Sequence, residues 1–151
     1  MYPLKKVLIL IFMMSLMVPM MATLVTIGTG TSVQRQPIAC WFGYERSADL
    51  YLASEIGTAG NISDLAWYSS ITQTLAIPTK IYLKTTTAST ITADSWANMI
   101  SGATLVYDGT LTGATASSWK LVDINDYVYT SGNLFVLVEC SYGSSGTGGS
   151  A

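Results

Sequence analysis

The chain has no histidine. That absence removes Ser-His-Asp and Cys-His catalysis, and the common zinc sites, which need imidazole or several thiolates. Only two cysteines are present, Cys40 and Cys140, too few for a thiolate zinc site. Charge is scarce: Asp, Glu, Lys and Arg make up 11% of the residues. Long polar helices need more Glu and Lys than this. Basic residues are the scarcer kind, seven against nine acidic ones. A nucleic-acid partner is therefore not expected, because phosphate contacts need a basic patch. No glycine-rich phosphate loop joins a strand to a helix; Gly28-Thr-Gly30 lacks the rest of that fingerprint.

What the chain does have begins with its first 22 residues, which carry the three parts of an export signal. Lys5 and Lys6 form a short basic region. Val7 to Val18 is apolar or small throughout, Pro19 breaks the run, and Ala22 is a candidate last residue before cleavage. The competing reading is an uncleaved anchor, since no charge falls between Lys6 and Arg35. A spanning helix needs roughly 20 apolar residues. Pro19 and Gly28 to Ser32 argue against one that long. The expected organisation is a signal helix over 1–22, one domain over 23–142, and a Gly/Ser-rich tail or linker over 143–151. Loss of the leader leaves five basic and nine acidic residues, a net charge of −4.

Short apolar–polar alternations dominate the rest, with turn residues about every ten positions, the pattern of a sandwich or barrel. Strand candidates are Thr23–Ile27, Ile38–Tyr44, Leu50–Leu52, Ile62–Tyr68, Leu75–Ile77, Lys80–Thr85, Leu105–Tyr107, Ala116–Val122, Tyr127–Tyr129 and Asn133–Glu139. Ile62, Leu65 and Trp67 do not keep one period, which places a bulge or register change between Ile62 and Leu65. The run from Asn133 is almost wholly apolar, as in a strand covered on both faces. Pro78 and the pair Asp108-Gly109 read as breaks, and Gly57 to Gly60 as a turn. One short helix is expected near 94–100, capped by Thr92 or Asp94. Two antiparallel sheets packed face to face bury all the apolar faces at once.

Several blocks stand in a recurring order. They are Val25-Thr-Ile-Gly28, Tyr51 to Gly57, Gly60 to Tyr68, Lys80-Ile-Tyr-Leu83, Leu105 to Gly109, Trp119 and Asn133-Leu134. In that order the chain resembles a jelly-roll-like β-sandwich module of large secreted or surface proteins of Bacteroidetes-like bacteria. The resemblance covers about residues 23 to 141. It implies an adhesin-type accessory module with no catalytic motif, and it assigns no binding residue. Such modules usually continue beyond the position of Glu139 with one or two more strands. The resemblance therefore implies a domain cut short at its C-terminal end.

In an exported protein, Cys40 and Cys140 can form a disulfide. It would close a loop of about 100 residues, worth roughly 4–5 kcal/mol by chain entropy. Two buried thiols is the other reading. Carboxylate chemistry needs two acids across a cleft, roughly 5–10 Å apart. Glu45 with Asp49, Glu55 with Asp64, and Asp123 with Asp126 are the pairs to test, each more simply a turn or strand-edge carboxylate. Asp123-Ile-Asn-Asp126 gathers hard oxygen ligands, so Asp123, Asn125 and Asp126 are the candidate calcium ligands, Asx-type turns being the plainer reading. No other cofactor is expected. Among the aromatics, Trp41 and Trp67 fall in phase with apolar neighbours and read as core. Tyr44, Tyr68 and Tyr82 are the candidate exposed binding residues. The expectation is a non-catalytic adhesion or interaction module, extracellular or on the cell surface, touching a membrane only through its export signal. Its partner would be a surface glycan, an extracellular protein or a neighbouring domain. The alternative is a carbohydrate-binding module accessory to an extracellular hydrolase.

Overall fold

A computed structural model describes residues 22–28, 37 and 42–143. The expected signal helix, Trp41, Cys40 and nearly all of the Gly/Ser-rich tail lie outside those residues. The elements are β1 (Tyr44–Tyr51), a single turn α1 (Ala53–Ile56), β2 (Gly60–Ser69), β3 (Gln73–Thr86), α2 (Trp96–Ile100), β4 (Thr104–Ala114), β5 (Ser118–Tyr129) and β6 (Asn133–Ser141). All strand pairs are antiparallel. One sheet has the order β1-β6-β3-β4 and the other pairs β2 with β5. The chain is an all-β sandwich, as expected. Its pairing is nested: β1 with β6, β2 with β5, β3 with β4. Among the described residues six strands make up this nested arrangement.

The core lies between the sheets. β3 supplies Ile77, Ile81 and Leu83, β4 supplies Val106, β5 supplies Val122 and Ile124, and β6 supplies Leu134, Val136, Val138 and Cys140. Alternation sends these residues inward and their neighbours outward. β6 also buries Phe135 and Leu137, which alternate with that inward set. They lie on the outer face of the sheet, where Tyr82, the cross-strand neighbour of Leu137, meets Trp96 of segment 87–103. That segment is tied down by Lys84 Nζ donating to the carbonyls of Met99 and Ser101, and by Asn133 Nδ2 donating to that of Ala88. The continuous apolar run of β6 thus reflects a strand covered on both faces.

The expected bulge is present. The β2–β5 register shifts between Ile62 and Asp64, where Ser63 faces the three residues Ile124, Asn125 and Asp126. Both strands change phase there, so Ile62 with Tyr127 and Leu65 with Val122 all pack against the core.

Several local expectations are overturned. Thr23–Ile27 forms no strand, and its Leu24 is 88% exposed. After Leu52 comes a helical turn that no expectation covers, Ala53–Ile56: Glu55 Oε2 accepts from Leu52 N at 2.7 Å and Gly57 closes the turn in the left-handed region. Pro78 does not end β3. It pairs with Thr110 of β4, and the ladder to β6 begins one residue later, at Thr79, so the proline sits where β3 has one strand neighbour rather than two. Asp108-Gly109 is not a turn but the middle of β4. Lys80 pairs with Asp108 at 3.5 Å, and the Tyr107 ring leans over Gly109, where a Cβ would come within 2.9 Å of its hydroxyl. The helix is capped by Ser95, whose hydroxyl accepts from Asn98 N. Asp94 stands behind it, accepting from Ser95 N and Asn98 Nδ2, and these bonds hold its carboxyl below the usual range. The two strands expected at 116–122 and 127–129 are one. Asp123, Asn125 and Asp126 therefore sit in and beside a bulge, not in a turn.

Candidate functional site

The two-stranded sheet buries one face and shows the other. Ser69, Trp67, Leu65 and Ile62 of β2 turn inward, as do Val122 and Ile124 of β5. The outward set follows from the register. Tyr68 faces Trp119, Ala66 faces Leu121, and Asp64 faces Asp123, three successive cross-strand pairs on one surface. Trp119 is 55% exposed, Leu121 61% and Tyr68 49%. The Tyr68 and Trp119 rings meet edge to face, centroids 5.7 Å apart and planes at 74°. Past the bulge, Val128 extends the same apolar line on β5.

The carboxylates end this aromatic stripe. Ser63 Oγ donates to Asp64 Oδ2 at 2.7 Å, and Asp123 stands opposite. Like charges directly across a strand pair destabilise it, so this placement has a cost within the fold. Among the described residues no cluster of three or more His, Cys, Asp or Glu is placed to hold a metal ion.

Comparison with protein-family models, with curated proteins and with solved structures found no match.

The other candidate residues lie elsewhere. Tyr44 and Tyr82 belong to the four-stranded sheet, on its outer face, so they do not join Tyr68. Tyr44 is exposed; Tyr82 is half-buried, edge to face with Trp96 at 6.3 Å. Trp96 is itself held by Glu139 and Arg46. That group fastens α2 to the sheet rather than opening a surface.

Glu45 and Asp49 alternate onto the inward face of β1, with Ser47 between them and Tyr51 beyond. Burial pushes the Asp49 carboxyl up. The Tyr51 phenol is pushed up to about 12 by burial, then by Asp49 and Glu55. Glu55 is bound to the α1 backbone and is not turned toward Asp64. Cys140 is buried, with Sγ 3.8 Å from Thr79 Oγ1 and 3.7 Å from the Pro37 carbonyl oxygen. A shallow cavity beside Gln73, Ile77, Leu111 and Lys120 has about 10 Å³ of room, enough for one water.

Trp119 and Leu121 are the functional candidates that sequence reasoning missed. In Trp119-Lys-Leu-Val-Asp-Ile124 both alternating sets contain large apolar residues, Trp119 and Leu121 in one, Val122 and Ile124 in the other. Period alone cannot say which set is buried. The surplus was the available signal: a half-buried strand needs one apolar set, and this one has two.

Proposed function

We propose that this chain is a non-catalytic interaction module of an exported surface or secreted protein, and that it binds through the outer face of the two-stranded sheet. One observation carries the reading: Tyr68, Trp119 and Leu121 are exposed together on one face of the two-stranded sheet. Contiguous exposed apolar surface of this kind marks binding sites, and Trp and Tyr are the residues that most often anchor them. The export part is supported by the leader-like first 22 residues. The non-catalytic part is supported by the lack of histidine and by Asp64 and Asp123 being set on an open strand face rather than across a cleft.

Binding of the leaderless chain to arrays of surface glycans and purified extracellular proteins tests this. A Trp119→Ala, Leu121→Ser double variant provides the comparison. A partner kept by the parent and lost by a folded double variant supports the reading. Partners bound equally by both would place the interaction surface elsewhere.

A further inference from the structure

The charges around the aromatic stripe point to a class of partner. The described residues hold nine acids and four bases, Arg46, Lys80, Lys84 and Lys120. Each base is engaged away from the stripe. Arg46 pairs with Glu139 at 2.7 Å and Lys80 with Asp108 at 3.5 Å. Lys84 is bound to the carbonyls of Met99 and Ser101, and Lys120 to that of Thr112. Among the described residues, none of these cations pairs with Asp64, Asp123 or Asp126. Among the described residues, the charged groups on the face that exposes Tyr68, Trp119 and Leu121 are thus acidic, with Asp64 and Asp123 in direct opposition.

We propose that this face takes a cationic polypeptide segment laid along the strands, with one Arg or Lys head over the Tyr68–Trp119 pair and another between Asp64 and Asp123, two cross-strand pairs away. The proposal rests on the reading of this face as the interaction surface. Three features argue for it. A guanidinium or ammonium is attracted to the face of Trp or Tyr. Two pairs further along, about 13 Å away at the usual strand rise, Asp64 and Asp123 offer a second cation a charge-assisted hydrogen bond, strongest and most directional with Arg. A cation between Asp64 and Asp123 also relieves their repulsion, which a neutral partner would leave in place. The ring geometry favours a cation over a sugar. Rings at 74° present a face and an edge rather than one coplanar platform for a pyranose. For a divalent metal, no group of three or more His, Cys, Asp or Glu is placed to hold an ion among the described residues.

The probe is a blocked nonapeptide of alternating Arg and Gly, titrated into the leaderless chain by calorimetry and tryptophan fluorescence. Parallel titrations use a neutral β-linked glucose oligosaccharide and calcium chloride. Variants are Asp64→Asn with Asp123→Asn, Trp119→Ala, and Asp108→Asn on the other sheet as the charge control. The expected result is saturable peptide binding that weakens with salt. The Asp64/Asp123 variant should lose at least about tenfold in affinity, one step of roughly 1.4 kcal/mol. Trp119→Ala should lose as much, and Asp108→Asn little. The double Asn variant should also unfold at a higher temperature, because a like-charge pair has been removed, so weakened binding would not be a folding failure. Peptide binding that Asp108→Asn weakens equally would overturn the proposal, since it would report net charge alone. So would absence of peptide binding. If the oligosaccharide instead binds in a Trp119-dependent way, the cationic partner fails while the interaction face stands. If no ligand responds to Trp119→Ala and the arrays give no partner sensitive to the double variant, both fail.

Discussion

Trp96 Nε1 donates to Glu139 Oε2 at 3.1 Å, while the other oxygen of Glu139 accepts from Arg46 Nε and a terminal guanidinium nitrogen at 3.1 and 2.7 Å. The Arg46 guanidinium also lies 5.4 Å from the centre of the Trp96 ring. One carboxylate thus joins β1, β6 and α2. An exposed ion pair alone is worth little, but here a hydrogen bond and a cation–π contact share its geometry.

Trp96→Phe should therefore keep the ring packing on Tyr82 and Arg46 and lose the donor. We expect a loss of about 1 kcal/mol in urea denaturation, the net worth of one hydrogen bond. Trp96→Ala should lose about 2–3 kcal/mol, below a fully buried Trp because this ring is half-exposed. It should also raise the rate of proteolytic cutting within 87–103 while the strands stay protected. Equal stability of all three proteins would show that the clamp does not hold α2.

Asp49 predicts a pH dependence. Burial raises its carboxyl above the ordinary value of 3.8, so the folded chain holds this proton to higher pH than the unfolded chain does. The native state then binds more protons between the two values, and stability falls as pH rises across that interval. This contribution is fully present below the unfolded value and is gone above the folded one. Asp49→Asn should flatten the curve there and stabilise the protein at neutral pH, as read from urea midpoints at several pH values. Asp94 has the opposite sign. Its lowered carboxyl contributes above the unfolded value and loses that contribution as pH falls through the folded one. A steeper pH dependence in Asp49→Asn would contradict the assignment.

Much of the fold was legible because period and burial agree. Ile81 and Leu83 alternate cleanly and are fully buried, and the irregular spacing of Ile62, Leu65 and Trp67 announced the bulge. The errors fall where a local signal competes with pairing partners far along the chain. Pro78 and Asp108-Gly109 are strong turn signals, yet they lie within the β3–β4 ladder, where long-range pairing outweighs local preference. The site was less legible. Tyr68 was identified as exposed, but its partner Trp119 sits 51 positions away, and only the β2–β5 register brings them together. Asp64 and Asp123, 59 positions apart, likewise meet only through that register.

The turn between β5 and β6 supplies a backbone test. Gly132 has φ of +92°, a region that L side chains rarely adopt, and an added Cβ would lie 3.2 Å from the Thr86 carbonyl oxygen. Its own carbonyl accepts from Tyr129 Oη at 2.6 Å. Gly132→Ala should cost about 1–3 kcal/mol through strain at that position. Tyr129→Phe, which removes only the hydroxyl, should cost about 1 kcal/mol. Denaturant titrations of both variants decide this, and a neutral Gly132→Ala would mean that the turn rearranges without penalty.

The deepest packing test is Leu137, which is 0% exposed and opposes both Ala48 of β1 and Tyr82 of β3. Leu137 alternates with the inward residues Val136 and Val138, so it lies on the outer face of the four-stranded sheet, where its neighbour Tyr82 meets Trp96 of α2. Leu137→Ala should cost about 2–5 kcal/mol, the transfer of the lost methyl groups plus the cavity they leave. Leu137→Met, close in volume, should cost less than about 1.5 kcal/mol. Val136→Ala, on the opposite face of the same strand, tests the sandwich core itself. If the layer under α2 is independent of that core, Trp96→Ala and Leu137→Ala should be non-additive while Trp96→Ala and Val136→Ala add. Double-mutant cycles in urea measure this, with neighbours that share a contact coupling by about 0.5–3 kcal/mol. Strict additivity of Trp96→Ala with Leu137→Ala would place Leu137 outside the layer that α2 covers.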